Sequence, residues 1–234
     1  MSAAGPGMQT PLEVAVRADN HVAALRSRIY AQLAAAFRYP SSEDDAGRFS
    51  DGSAERELRE LLNLFEQLPG DVAVVGRSRR GHAGIGSDGV DALYCSLFEP
   101  TSGQARVSLY ERDHGRHTRE VLWEDLFRCY THFGLEFDDG GLKEAPDHLV
   151  IELEFMHYLT FLEASNPETS RGVALAQGDF LEHHLAVWVP RVCLALEEHS
   201  RDSVYHGLAA LLRDFVSADR DHLESTIHEL RRLP

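Results

Sequence analysis

Positive charge is scarce in this chain. Lysine and arginine together number 23 against 38 aspartates and glutamates in 234 residues, a formal net charge of −15. Such a surface argues against non-specific binding to nucleic acid or to anionic membranes and favours a cationic partner. Cysteine is also sparse. Cys95, Cys129 and Cys193 lie far apart in apolar patterns and form no Cys-x-x-Cys pair. They read as buried, reduced thiols of a cytoplasmic protein. The chain does not open with a basic region followed by an apolar one, and no apolar run is long enough to span a bilayer, so neither export nor membrane insertion is expected. Catalytic signatures are missing too: no Gly-x-Ser-x-Gly elbow, no P-loop and no His-Glu-x-x-His. Gly84-Ile-Gly-Ser-Asp-Gly89 is a formal dinucleotide-loop match. It starts well after the apolar run Val72–Val75 has ended and lies among helical patterns, whereas a true dinucleotide loop follows its strand directly.

What remains is helical periodicity. Residues 1–16 hold Gly, Pro, Ser and Ala without period and read as a flexible tail, followed by one all-helical domain over 17–234. Asp19 or Asn20 opens a helix with Leu25, Ile29, Leu33 and Phe37 in register, closed by Pro40. Ser41 to Gly52 is polar and reads as a turn. Ser53 starts a second helix (Leu58, Leu61, Leu62, Phe65), closed by Pro69-Gly70. The segment 71–89 reads as a loop. Val90 to Phe98 makes a third helix, 101–117 a polar connection, and Thr118 opens a fourth that ends at Gly134. Later stretches around Phe180–Trp188 and Val192–Leu196 are separated or kinked by Pro190. Tyr205–Phe215 and Leu223–Leu230 complete the chain. No internal repeat or strand pair is found, and the fold class is all-α, a single helical bundle.

The stretch from Glu144 to Ala164 is the most apolar helix of the set, and an all-round apolar helix belongs in the middle of a larger bundle. Pro146 and Asp147 read as its start, with the Asp147 carboxylate as the N-cap. The same helix nevertheless carries His148, Glu152, Glu154 and His157, and ionisable groups on a core helix must be paired, placed near its mouth, or functional. Two chemistries suit them. Glu154-x-x-His157 is half of the ligand pattern of a di-metal carboxylate bundle, with Glu182, His183, His184, Glu197, Glu198 and His199 as further donors, but no second Glu-x-x-His exists. Alternatively, Glu144, Asp147, Glu152 and Glu154 form an acidic mouth suited to bidentate capture of arginine from a peptide laid in an apolar groove. A generic helical interaction domain is a third reading.

Several short patterns occur in a fixed order. Leu25, Tyr30, Leu33, Phe37, Tyr39 and Pro40 come first, then Tyr94, Leu97 and Phe98. Leu109-Tyr-Glu111 follows, then Tyr130-x-x-Phe-Gly-Leu135. After the Glu144-x-Pro146-Asp147-His148-Leu149 helix come Phe180, His184, Leu185, Trp188 and Pro190. In order and spacing, this set resembles the TorD/DmsD/NarJ-type chaperones, maturation factors for molybdenum enzymes, over most of the chain from about Leu25 to Phe215. The form Glu152-Leu-Glu-Phe-Met-His157, with Leu109-Tyr-Glu111, is similar to the subgroup serving type II enzymes of the dimethyl sulfoxide reductase family.

The resemblance implies an all-helical cytoplasmic chaperone without catalysis and without a tightly bound cofactor or metal, monomeric or dimerised by helix exchange. It implies a partner, the apo catalytic subunit of a molybdenum enzyme with its twin-arginine leader. That subunit would be held until molybdopterin guanine dinucleotide is inserted. It also places Pro146, Asp147 and His148 on the leader-binding surface, with Glu144 and Glu152 beside them and Tyr110 and Glu111 in a nearby connection. Two departures stand out: Val107-Ser108 precedes Leu109-Tyr-Glu111 where relatives often have a proline, and the Arg- and Gly-rich insertion 76–89 is unusual.

Overall fold

A computed structural model describes residues 21–67, 89–99, 105–115, 117–136, 144–166, 169–201 and 203–232. The expected tail, the helix start at Asp19 or Asn20, the Val72–Val75 run, nearly all of the Gly-rich 76–89 stretch and the 137–141 turn lie outside them. Nine α-helices are present among the described residues: α1 (His21–Phe37), α2 (Glu43–Ser50), α3 (Ser53–Glu66), α4 (Val90–Phe98), α5 (Arg119–His132), α6 (Leu149–Ser165), α7 (Ser170–His183), α8 (Leu185–His199) and α9 (Val204–Arg232). A 3₁₀ turn, Glu111–Asp113, precedes α5. The all-α expectation holds.

The central helix is where the apolar pattern puts it. α6 buries Leu149, Val150, Ile151, Leu153, Phe155, Met156 and Leu159 and packs most extensively against α1, then against α7. α9 closes the bundle against α8, α7 and α3. The core is aromatic along its length. Tyr130, Phe155 and Phe180 stack edge-on below α6, and Tyr30, Phe65 and Phe215 do the same between α1, α3 and α9. A buried polar knot crosses this core. The Arg26 guanidinium on α1 donates to Asp219 on α9, to Glu163 on α6 at 2.9 Å and to Gln177 on α7 at 2.6 Å, while Tyr30 Oη donates to Asp219 at 2.6 Å. One side chain thereby registers four helices.

Three local expectations are corrected. Residues 43–50 form α2 rather than a turn. Ser42 Oγ accepts from Asp45 N, and Glu43, Asp44 and Asp45 favour the positive end of the helix dipole, but only Ala46 and Phe49 are buried, too few to show a period. The break after α7 falls at His184 (φ −120°, ψ −95°), not at Pro190. Pro190 lies inside α8 on its exposed face, where solvent can serve the freed carbonyl of Ala186. The last two stretches are one 29-residue helix, α9. Gly134 does end α5 in the left-handed region (φ +73°), as its position predicts. Of the three thiols only Cys193 is fully buried; Cys95 and Cys129 are partly exposed.

Candidate functional site

The connection before α5 is not an irregular polar loop. Along 107–112 burial alternates strictly: Val107, Leu109 and Glu111 point inward, and Ser108, Tyr110 and Arg112 point outward. This is the period of an extended strand. It pairs with the start of α6 through one antiparallel bridge, Tyr110 with His148, in which Glu111 N donates to Asp147 O at 2.9 Å and Leu149 N to Leu109 O at 2.8 Å. The bridge brings the Leu-Tyr-Glu segment against Pro-Asp-His.

Asp147 is fully buried and is not the N-cap. Its Oδ1 accepts from Trp123 Nε1 at 2.8 Å and from Arg112 Nη1 at 2.7 Å, and its Oδ2 accepts from the Arg112 amide at 3.2 Å. The cap is His148, whose Nδ1 accepts from Val150 N at 3.2 Å. That bond requires a neutral ring protonated on Nε2, and burial lowers the His148 pKa accordingly, against the opposing pull of Glu144 and Asp147. Pro146 is buried, and its carbonyl accepts from Tyr130 Oη at 2.9 Å. Glu144 stays at the surface, with its side chain 41% exposed. It accepts from Tyr110 Oη at 2.8 Å, and burial together with that bond pushes the Tyr110 pKa to about 12.

Glu152 lies one turn below and is fully enclosed. Its Oε2 accepts from Trp188 Nε1 at 2.9 Å, whereas Oε1 has no hydrogen-bond partner among the described residues. Burial first, and the neighbouring Glu111 carboxylate second, hold the Glu152 pKa well above the usual range. Glu111 in turn meets His184 Nδ1 at 3.0 Å, which explains the backbone break at His184: it turns the imidazole inward. Glu154 pairs with Arg38 instead of joining the acidic mouth, and His157 Nδ1 meets Ser27 Oγ at 2.8 Å. The Glu-x-x-His pair is therefore committed to α1 and its C-terminal flank. Among the described residues no three His, Cys, Asp or Glu side chains stand together as a metal site.

Above this framework lies a solvent-open groove of about 560 Å³. Tyr39, Tyr94, Phe98 and Tyr110 supply its rings, Glu99, Asp113 and Glu144 its carboxylates, and Ser108, Arg112 and His148 further polar lining. Tyr39 and Tyr94 meet edge-on at 5.3 Å, and Tyr94 and Phe98 are 4.8 Å apart, so these three rings form a continuous wall. Of the predicted site residues, the structure sets Glu144, Tyr110 and His148 on the groove, while Asp147, Glu111, Glu152 and Pro146 lie beneath it as support. Sequence reasoning did not assign Arg112, Glu99, Trp123 or the aromatic wall to the site; the alternation of 107–112 was the available signal.

The fold is thus all-helical, with an acidic, aromatic groove over a buried polar support. The profile of the family described as nitrate reductase delta subunit matches residues 52–194, more than half of the chain. The chain is similar to the perchlorate reductase assembly chaperone protein of Dechloromonas aromatica, at 34% identity over 93% of this chain and 96% of that protein. It is also similar to the selenate reductase assembly chaperone protein of Thauera selenatis, at 34% identity over 62% of this chain and 75% of that one. A solved structure of a candidate redox enzyme maturation protein from Archaeoglobus fulgidus shares the fold, with a TM-score of 0.50 and 21% identity over 82% of this chain and 93% of that chain. The chain belongs to this NarJ/TorD-type family, whose named members are assembly chaperones rather than enzymes.

Proposed function

We propose that this protein is the dedicated cytoplasmic chaperone of a molybdenum enzyme of the type II dimethyl sulfoxide reductase family. In this reading the groove beside α6 holds the arginine-bearing leader of that enzyme's apo catalytic subunit. One observation carries it: the rings of Tyr39, Tyr94, Phe98 and Tyr110 and the carboxylates of Glu99 and Glu144 line a single groove. Aromatic faces and carboxylates are the two surfaces a guanidinium prefers, and the rings also suit the apolar stretch that follows the arginines in a leader. The net charge of −15 favours the same partner over long range. The relatives named for perchlorate and selenate reductases support an oxyanion reductase or a related enzyme as client.

The mechanism is differential binding. The client lacking molybdopterin guanine dinucleotide offers its leader and open cofactor cleft; the finished enzyme does not, so release follows maturation. The chaperone holds the leader away from export meanwhile. No described helix is long and apolar enough to cross a membrane.

The test is calorimetric titration of a twin-arginine leader peptide into wild type and Glu99→Gln/Glu144→Gln. Each lost charge-assisted bond is worth about 1.5–3 kcal/mol, so the double variant should bind roughly tenfold weaker or worse, with unchanged helix content. Equal affinity would overturn the assignment. Asp147→Ala is the poorer probe, because its carboxylate also holds Trp123 and the 3₁₀ turn in place.

A further inference from the structure

Asp147 is a buried carboxylate with a cation already seated on it. The Arg112 guanidinium donates to Oδ1 and lies 3.9 Å over the centroid of the Tyr110 ring. Its side chain remains 28% exposed and lines the groove, whereas that of Asp147 is wholly enclosed. We propose that this is a guanidinium subsite in which Arg112 is a stand-in, and that an arginine of the client takes the seat by displacing it. The proposal rests on the leader-binding reading and adds how the second arginine is recognised.

The seat does not depend on its occupant. Without the Arg112 side chain, Asp147 keeps Trp123 Nε1 and the residue 112 amide, and Tyr110 is still fixed by Glu144 at its hydroxyl and by the His148 ring edge-on at 4.9 Å. Two carboxylates thus flank one tyrosine: Glu144 at the hydroxyl end, accessible from the groove, and Asp147 at the ring face, filled from within. Adjacent arginines entering the groove meet the outer carboxylate first and the inner one second. Exchange at the inner seat swaps one guanidinium for another, so it adds little net affinity. It adds discrimination, because a lysine ammonium cannot both lie flat on the ring and donate in plane to the carboxylate. Keeping the seat filled also avoids an uncompensated charge under the groove.

The experiment is thermal unfolding of wild type and Arg112→Ala with methylguanidinium chloride, against methylammonium chloride at matched ionic strength. Methylguanidinium should raise the Tm of the variant and leave wild type unmoved, and methylammonium should raise neither. No rise in the variant, or an equal rise in wild type, would overturn the subsite. If Arg112→Ala does not fold, Arg112→Gln, which keeps a neutral donor for Asp147, carries the same comparison. In a second arm, Arg112→Ala should bind a twin-arginine peptide about three- to tenfold tighter than wild type, since the competent state is no longer occluded. The lysine-substituted peptide should show no such gain. Peptide binding that is unchanged or weaker overturns displacement. Absence of peptide binding by wild type and variant alike, with the methylguanidinium response retained, would remove the leader reading and displacement by the client with it, and leave only the guanidinium seat standing.

Discussion

Glu152 gives the sharpest test of the buried support. In the folded protein its carboxyl is enclosed and faces the Glu111 carboxylate, and burial first and that neighbour second hold its pKa well above the usual value of 4.5. The unfolded chain ionises near that usual value. A carboxyl whose folded pKa is raised contributes stability that is complete below the unfolded pKa and is lost as pH rises towards the folded one. The loss amounts to about 1.4 kcal/mol per pH unit for one proton. Glu152→Gln removes the titration and keeps the geometry: its amide oxygen accepts from Trp188 Nε1 and its NH₂ faces Glu111. At pH 5 the variant should match wild type within about 1 kcal/mol; by pH 8 it should be the more stable of the two, with the gap widening from one pH to the next. Glu152→Leu, by contrast, leaves the Trp188 indole N–H unpaired and should cost about 1–3 kcal/mol near pH 5. Urea unfolding at pH 5, 6, 7 and 8, followed by tryptophan fluorescence and far-ultraviolet circular dichroism, measures all three. A difference between wild type and Glu152→Gln that stays constant over that range, or a variant that weakens as pH rises, would mean that Glu152 is ionised in the fold and the reasoning is wrong.

Two further substitutions probe the frame. A Cβ on Gly207 of α9 would sit 2.7 Å from Glu55 Oε1, and Glu55 is itself buried and tied to Arg59. Gly207→Ala gains roughly 1 kcal/mol of helix propensity but forces that carboxylate aside at about 1–3 kcal/mol, so it should destabilise modestly in denaturant titrations. The loss should shrink in a Glu55→Ala background, and a clear gain in stability would show that Glu55 moves freely. Arg26→Met strands Asp219 and should cost about 3–5 kcal/mol, while Arg26→Met/Asp219→Asn should lose less; equal losses would mean that the charge of Asp219 is not what the arginine serves.

The helices were legible wherever an apolar stripe ran for three turns or more, as in α1, α3 and α6, because burial itself imposes the 3.6 period. α2 was not, since two buried residues make no stripe. The break at His184 was hidden because its cause is a distant Glu111, whereas Pro190 is a local signal that α8 tolerates on its exposed face. For the candidate site, motif order picked out segments that the fold brings together, but not the depth of each side chain. Asp147 reads as a cap from its neighbours in sequence, yet its partners are Trp123 and Arg112, which no spacing rule connects to it. Glu152 and Glu154 look equivalent in the sequence; α6 turns one into the core and the other towards Arg38.

The backbone bridge between Tyr110 and His148 has a bearing on how such a groove could diversify. The bonds from Glu111 N to Asp147 O and from Leu149 N to Leu109 O are made by main-chain atoms and are indifferent to side-chain identity. The inward residues Val107, Leu109 and Glu111 anchor the segment, and the outward residues Ser108, Tyr110 and Arg112 line the groove. On the proposed function, recognition can therefore be rewritten at alternate positions of one short segment while the main-chain bridge stays in place. In that sense the bridge separates the lock from the door: a lineage of these proteins could exchange clients by changing a few groove-facing side chains, without rebuilding the helices beneath.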